Sequence, residues 1–292
     1  MIESFLQHLE IERRYSLHTL KAYRNDLESF QAFLKEHLEE DSIQDALTMH
    51  IREWVVSMLE TSTAARTVQR KLSTLKGFFK YLRRQGYRKD NPVRVLNGPK
   101  IPKRLPVTIE KAGMQDIFQL EGLFTDNLTG KRDRAMILLF YATGLRLSEL
   151  IHAKEKDLSF HDATLRVIGK RDKERILPIS GPCMLAIKDY LNVRQELGKG
   201  GENLFLTDEG KKLYPKFVYR KVNAYLGTVS SQTKRSPHVL RHTFATHLLE
   251  NGAELQSIKE ILGHANLAAT QVYTHNSIER LKKIHAQAHP KG

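Results

Sequence analysis

The chain has 292 residues, enough for two domains, and 40% of them are hydrophobic, so two ordinary cores are within reach. Lysine and arginine number 47 against 33 aspartates and glutamates, a formal net charge of +14, the electrostatic footprint of a phosphate-backbone binder. The single cysteine, Cys183, excludes an internal disulfide and fits a reducing cytoplasm; the longest apolar run, 135–142, is too short to span a bilayer; and a beginning that carries acids from Glu3 onward, with no long apolar stretch, is not a signal peptide.

Residues 1–96 are expected to form a helical domain. Ile2, Phe5, Leu6 and Leu9 mark a first amphipathic helix. Ser16 is placed to cap a second, with Leu20, Tyr23, Leu27, Phe30 and Leu34 on one face. Thr48 begins a third through Ile51, Trp54, Val55 and Leu59. Thr63 begins a fourth through Val68, Leu72, Leu75, Phe78, Phe79 and Leu82, stopping at Gly86. The fourth carries Arg66, Arg70, Lys71, Lys76, Lys80, Arg83 and Arg84. In so basic a chain these residues predict a face that tracks phosphates. With no acid–base constellation among them, four helices predict a binding domain.

Residues 97–106, NGPKIPKRLP, are expected to be a linker, since three prolines and a glycine forbid a continuous helix. The second domain is expected over 107–292. Thr108 is placed to cap a helix through Ile117 and Leu120, and a buried helix is predicted over 131–142, ending at Gly144. Arg146 then opens a helix with Glu149 one turn on, either a surface pair or a brace for a site cation. The only clear β region spans 157–180, with strands at 158–160, 164–168 and 175–179 and a polar turn at 169–173. Helices follow at 182–196 and 214–229, with a short extended link at 203–206 between them. A last amphipathic helix at 277–288 carries Ile278, Leu281 and Ile284.

The chemistry-bearing groups gather in 236–274. His238 and Arg241 lie one helical turn apart and His242 adjoins them. His264 follows Leu262-Gly263, after the apolar stripe Leu255, Ile258, Ile261, Leu262, and Tyr273 comes nine residues later. The imidazoles of His238 and His264, a guanidinium and a phenol suit a phosphodiester. A guanidinium matches two non-bridging oxygens without a metal, a histidine handles a proton near neutrality, and a phenol beside cations and a base becomes a nucleophile. His238 and His242 also have zinc-ligand spacing, but Val239 stands where a metalloprotease pattern requires glutamate, and there is no cysteine cluster.

The order His238-Val239-Leu240-Arg241-His242, Leu262-Gly263-His264, Val272-Tyr273-Thr274 resembles the active-site signature of the tyrosine recombinase (phage integrase) family. Upstream, Thr143-Gly144-Leu145-Arg146-Leu147-Ser148-Glu149-Leu150 matches the turn that carries the family's first arginine, and Lys170 in Val167-Ile168-Gly169-Lys170 matches its hairpin lysine. The resemblance spans nearly the whole chain, with the XerC/XerD branch nearest. It departs after Lys170, where many relatives have glycine and this chain has Arg171, which leaves open whether Lys170 or Lys173 reaches the site.

The resemblance implies a mainly α fold: a four-helix SAM-like core-binding domain, and an α-rich catalytic domain with a small three-stranded antiparallel sheet, the two clamping duplex DNA. It implies catalytic roles for Arg146, Lys170, His238, Arg241, His264 and Tyr273, with Tyr273 the nucleophile that forms a 3′-phosphotyrosyl bond. It implies no cofactor and no metal. The partners it implies are a double-stranded DNA recombination site, a homo- or hetero-tetramer with a paralogous recombinase, and a division-associated DNA translocase, with no membrane. A mobile-element integrase would share this chemistry, a topoisomerase would relax DNA without exchange, and a non-catalytic DNA-binding protein would have lost one of the six residues. The terminal helix either packs on its own domain or, as in relatives, docks into a neighbouring subunit.

Overall fold

The computed structural model describes residues 1–38, 42–101, 107–169, 173–263 and 275–290. The chain divides into two compact units, Met1–Arg104 and Leu105–Gly292. Of the predicted linker 97–106, residues 102–106 lie outside the described set. Among the described residues no helix is long and apolar enough to cross a membrane.

The first unit is four helices, α1 Ile2–Ile11, α2 Leu17–Leu38, α3 Thr48–Glu60 and α4 Ala65–Arg84, with a 3₁₀ turn at Ile43–Asp45. Ser16 does cap α2, its hydroxyl accepting from the Thr19 amide at 3.3 Å. The apolar stripes meet in one core, in which Phe30 and Trp54 form a tilted ring pair at 4.8 Å and Phe5 meets Phe78 edge-on at 5.5 Å. On α3 the buried face is Ile51, Trp54 and Met58, one turn apart each, so Leu59 points outward instead of joining the core as expected. The seven basic residues of α4 divide. Arg66, Lys76, Lys80, Arg83 and Arg84 are exposed. Arg70, also exposed, is ion-paired with the buried Asp26, and the half-buried Lys71 donates its ammonium to Ser29 Oγ at 2.9 Å and lies 5.0 Å from the Trp54 ring centre.

The second unit is built around α6 Leu128–Thr143, whose residues from Ala135 to Thr143 are buried on every side. Asn127 caps it, accepting from the Gly130 amide at 3.0 Å, and Gly144 ends it in the left-handed conformation at φ 59°. Around α6 lie α5 Lys111–Gln119, α7 Leu147–His152, α8 Gly181–Glu196, α9 Pro215–Val229, α10 Pro237–Glu250, α11 Leu255–Leu262 and α12 His275–Ala288. α5 starts at Lys111 after Glu110, later than Thr108 suggested.

The sheet is antiparallel in the order β1 Leu158–Ser159, β2 Thr164–Ile168, β3 Glu174–Pro178. Thr164 pairs with Pro178 and Ile168 with Glu174, and the hairpin end is closed by the Gly169 amide donating to the Lys173 carbonyl at 2.8 Å. The C-terminal half of α12 packs on its own unit. His285 is buried and its Nε2 donates to the Ala142 carbonyl, while His289 Nε2 donates to the Tyr141 carbonyl at 2.9 Å. The side chains of Ile278 and Leu281 lie outside the described set.

Candidate active site

Two chain reversals, each needing a glycine, bring the arginines together. Gly144 turns α6 into the loop that presents Arg146, and Gly263, at φ 65°, ends α11. A Cβ on Gly144 would stand 2.4 Å from Phe244 Cδ1 and 2.9 Å from Leu262 Cδ2, so the backbone there lies directly on α10 and α11.

Arg146 is the residue before α7, and Glu149 closes that helix start by accepting from the Arg146 amide at 2.6 Å. The same carboxylate accepts from Arg146 Nη1 at 2.8 Å. Arg146 Nη2 donates to the Gly263 carbonyl at 2.9 Å. Arg241, one turn into α10, donates from Nη1 to the Gly144 carbonyl at 2.6 Å and from Nη2 to the Leu262 carbonyl at 2.7 Å. The two guanidinium groups therefore end on neighbouring carbonyls at the C-terminus of α11. The last carbonyls of a helix lack partners within it and carry its negative end, so cations are favoured there.

A third arginine completes the cluster, one that the sequence reading placed only as a strand residue. Arg175 on β3 is buried; its Nε donates to the Ile261 carbonyl at 2.9 Å and its two Nη groups donate to the Glu149 oxygens at 2.6 and 2.8 Å. The available signal was alternation: Arg175 shares a strand face with Leu177, which is fully buried, so a charge stood on a core-facing position.

The electrostatics follow from three cations around one carboxylate, two of them, Arg146 and Arg175, bonded to it. Burial alone pushes the Glu149 carboxyl up, but hydrogen bonds and charge from Arg175, with those from Arg146, pull it down from 4.5 to about 2. Burial pushes the Arg241 guanidinium down to about 10, with the Arg146 and Arg175 charges acting in the same direction and Glu149 opposing. Arg241 is thus cationic at neutral pH, and the cluster carries a surplus of positive charge suited to an anion.

His238 lies in the first turn of α10, exposed, one turn before Arg241, and His242 is exposed beside it. Lys173 is exposed at the hairpin end. Lys170, His264 and Tyr273 lie outside the described residues. Among the described residues no three or more His, Cys, Asp or Glu side chains are grouped to hold a metal ion.

Residues 115–280 match the model of the phage integrase family, and residues 2–86 that of the phage integrase N-terminal SAM-like domain. The tyrosine recombinase XerC of Thermodesulfovibrio yellowstonii is 38% identical over 99% of this chain and 96% of its own length. The tyrosine recombinase XerD of Proteus mirabilis is 37% identical over 100% of this chain and 93% of its own. Among solved structures, a XerH site-specific recombinase bound to a palindromic difH substrate superposes with a TM-score of 0.71 at 22% identity, covering 97% of this chain and 83% of that one. The integrase of transposon Tn1549, in complex with transposon right end DNA, superposes with a TM-score of 0.68 at 20% identity, covering 98% and 99%. The chain belongs to the phage integrase family. It is a site-specific tyrosine recombinase, an enzyme that cuts and rejoins DNA.

Proposed function

We propose that the protein recombines DNA by two transesterifications at the arginine cluster, and that its biological task is the Xer one, resolution of chromosome dimers at cell division. The observation that carries the chemistry is the convergence of Arg146 and Arg241 on the end of α11. In this reading the two guanidinium groups hold the non-bridging oxygens of one phosphodiester, and His264, next in the chain after Gly263, adds a further donor. The Tyr273 oxygen attacks phosphorus and its proton passes to His238, exposed one turn from Arg241. The bond from phosphorus to the 5′-oxygen breaks as Lys170 protonates that oxygen. A 3′-phosphotyrosyl bond keeps the energy of the broken phosphodiester. A 5′-hydroxyl from a partner strand then reverses the step, so no nucleotide cofactor enters.

Exchange between two duplexes needs four such sites, hence a tetramer on DNA, of identical or paralogous subunits. Relatives of 37–38% identity, over nearly the whole chain, are named XerC and XerD, which supports the Xer task. With that task the proposal takes in a division-associated DNA translocase as partner and a cytoplasmic place of work. The test is a nicked suicide duplex carrying a Xer-type recombination site, incubated without metal and run on a denaturing gel. A slow-migrating protein–DNA adduct is expected with the wild type and not with Tyr273→Phe. An equal adduct with Tyr273→Phe removes Tyr273 from the role, and an adduct only on mobile-element ends moves the task to an integrase.

A further inference from the structure

Arg175 has no part in the reaction scheme above, yet it touches both α7 and the end of α11, on which the two site arginines are held. Its fork spans the Ile261 carbonyl and both oxygens of Glu149, whose carboxylate in turn accepts from the amide and from Nη1 of Arg146. Three guanidinium groups thus take three successive carbonyls at the end of α11: Arg175 that of Ile261, Arg241 that of Leu262 and Arg146 that of Gly263. The Cα of Gly263 lies against Arg175, since a Cβ there would stand 3.2 Å from its Cδ and 3.3 Å from its Nε. Arg175 also stands two residues from Lys173, so it ties the root of the β2–β3 turn to α11 and α7.

A lysine cannot replace this. Its ammonium is a point charge on a flexible stem, without the planar fork that meets two carboxylate oxygens and a carbonyl at once. Nor is the contact one of ordinary surface pairing, because both partners are buried, Arg175 at 4% exposure and Glu149 at 3%.

We propose that Arg175 is a positioning residue of DNA cleavage: it fixes Glu149 and the last turn of α11, and through them the joint aim of Arg146 and Arg241 at one phosphodiester. The proposal rests on the assignment of those two arginines to the scissile phosphate.

The experiment is single-turnover cleavage of the nicked suicide duplex at saturating protein, with DNA affinity and thermal unfolding measured alongside. Arg175→Lys keeps the charge and loses the fork. It is expected to fold and to bind DNA like the wild type, but to form the phosphotyrosyl adduct roughly 10- to 100-fold more slowly, the scale on which misplaced catalytic groups act. Gly263→Ala, which pushes on Arg175 from outside, is expected to show the same split between rate and affinity. A merely structural role would lower stability without that split. A folded Arg175→Lys or Gly263→Ala that cleaves at the wild-type rate overturns the proposal, and so does failure of both to fold, which would make Arg175 a core residue only. Arg241→Ala separates the two layers. If it is inactive while Arg175→Lys is not impaired, the proposal for Arg175 falls alone; if Arg241→Ala cleaves normally, the phosphate assignment falls and the proposal with it.

Discussion

Arg175 donates to both carboxylate oxygens of Glu149, at 2.6 and 2.8 Å, and neither side chain is accessible to solvent beyond a few per cent. The pair joins two elements distant in sequence, β3 and α7, and is the floor on which the candidate site stands. A bidentate contact of this kind fixes orientation as well as distance, which a site built to grip two particular oxygens requires.

The pair predicts a pH dependence. Glu149 titrates in the folded protein near 2 against an ordinary 4.5, so its contribution to stability is complete above 4.5 and is lost as the pH falls toward 2. The shift corresponds to on the order of 3 kcal/mol. Urea unfolding at a series of pH values should show the wild type losing about that much more than Glu149→Gln between pH 6 and pH 2. Parallel curves for the two proteins would mean the carboxylate is not held as described.

Gly144 predicts a coupled loss of stability and activity. It sits at φ 59° with Phe244 and Leu262 against its Cα, and its carbonyl holds Arg241. Gly144→Ala meets both left-handed strain and overpacking, together about 2–4 kcal/mol. Gly210, at φ 76° with nothing within 4 Å of its Cβ position, meets strain alone. Thermal melts should place Gly144→Ala well below Gly210→Ala, and only Gly144→Ala should slow cleavage. Equal melting points would show that the space around Gly144 is not as tight as described.

Stability of the second unit should also depend on a charge network away from the site. Asp133, fully buried, accepts from Arg132 Nε at 2.9 Å and from the Tyr225 hydroxyl at 3.0 Å, and pairs with Lys221 at 2.8 Å. Arg132 is itself fully buried and lies over the Phe217 ring. Asp133→Ala leaves that guanidinium with Asp208 as its remaining carboxylate partner, at 2.8 Å. Removing one member of a buried pair costs about 3–5 kcal/mol. Chemical denaturation should read that loss, whereas cleavage by the folded fraction at low temperature should match the wild type. A loss within experimental error would show that Arg132 is neutralised by Asp208 alone.

What was legible in the sequence was what local rules govern. Periodicity gave α2 and α4 and the helix around 131–142, and the turn glycines Gly144 and Gly263 marked where α6 and α11 stop. The convergence of Arg146 and Arg241 came only through motif resemblance, because they stand 95 positions apart in the chain and no periodicity reports a tertiary contact. Glu149 left two readings open, and its burial decides for the brace. Arg175 went unremarked because a charged residue in a short strand reads as an edge or surface position unless its face is compared with that of Leu177. Likewise Arg70 and Lys71 looked like the rest of the basic face of α4, since Asp26, Ser29 and Trp54, which occupy them, come from other helices.

That division of α4 makes the last prediction. DNA binding by so basic a chain should weaken by roughly 10³- to 10⁵-fold between 50 and 200 mM salt if about 6–10 phosphates are neutralised. Arg66, Lys76, Lys80, Arg83 and Arg84 are exposed and can release counterions, whereas Arg70, also exposed, is ion-paired with Asp26, and burial depresses the pKa of Lys71, whose ammonium lies on Ser29 and Trp54. Replacing a phosphate contact by alanine lowers the slope of log K against log salt by about 1. Lys76→Ala, Lys80→Ala and Arg83→Ala should each do so, and Lys71→Ala should leave the slope unchanged while lowering the melting temperature. Binding isotherms at four salt concentrations decide the matter. A slope reduced by Lys71→Ala but not by the other three would mean that DNA approaches α4 from the α2–α3 side, and that its exposed basic face is solvated instead of bound.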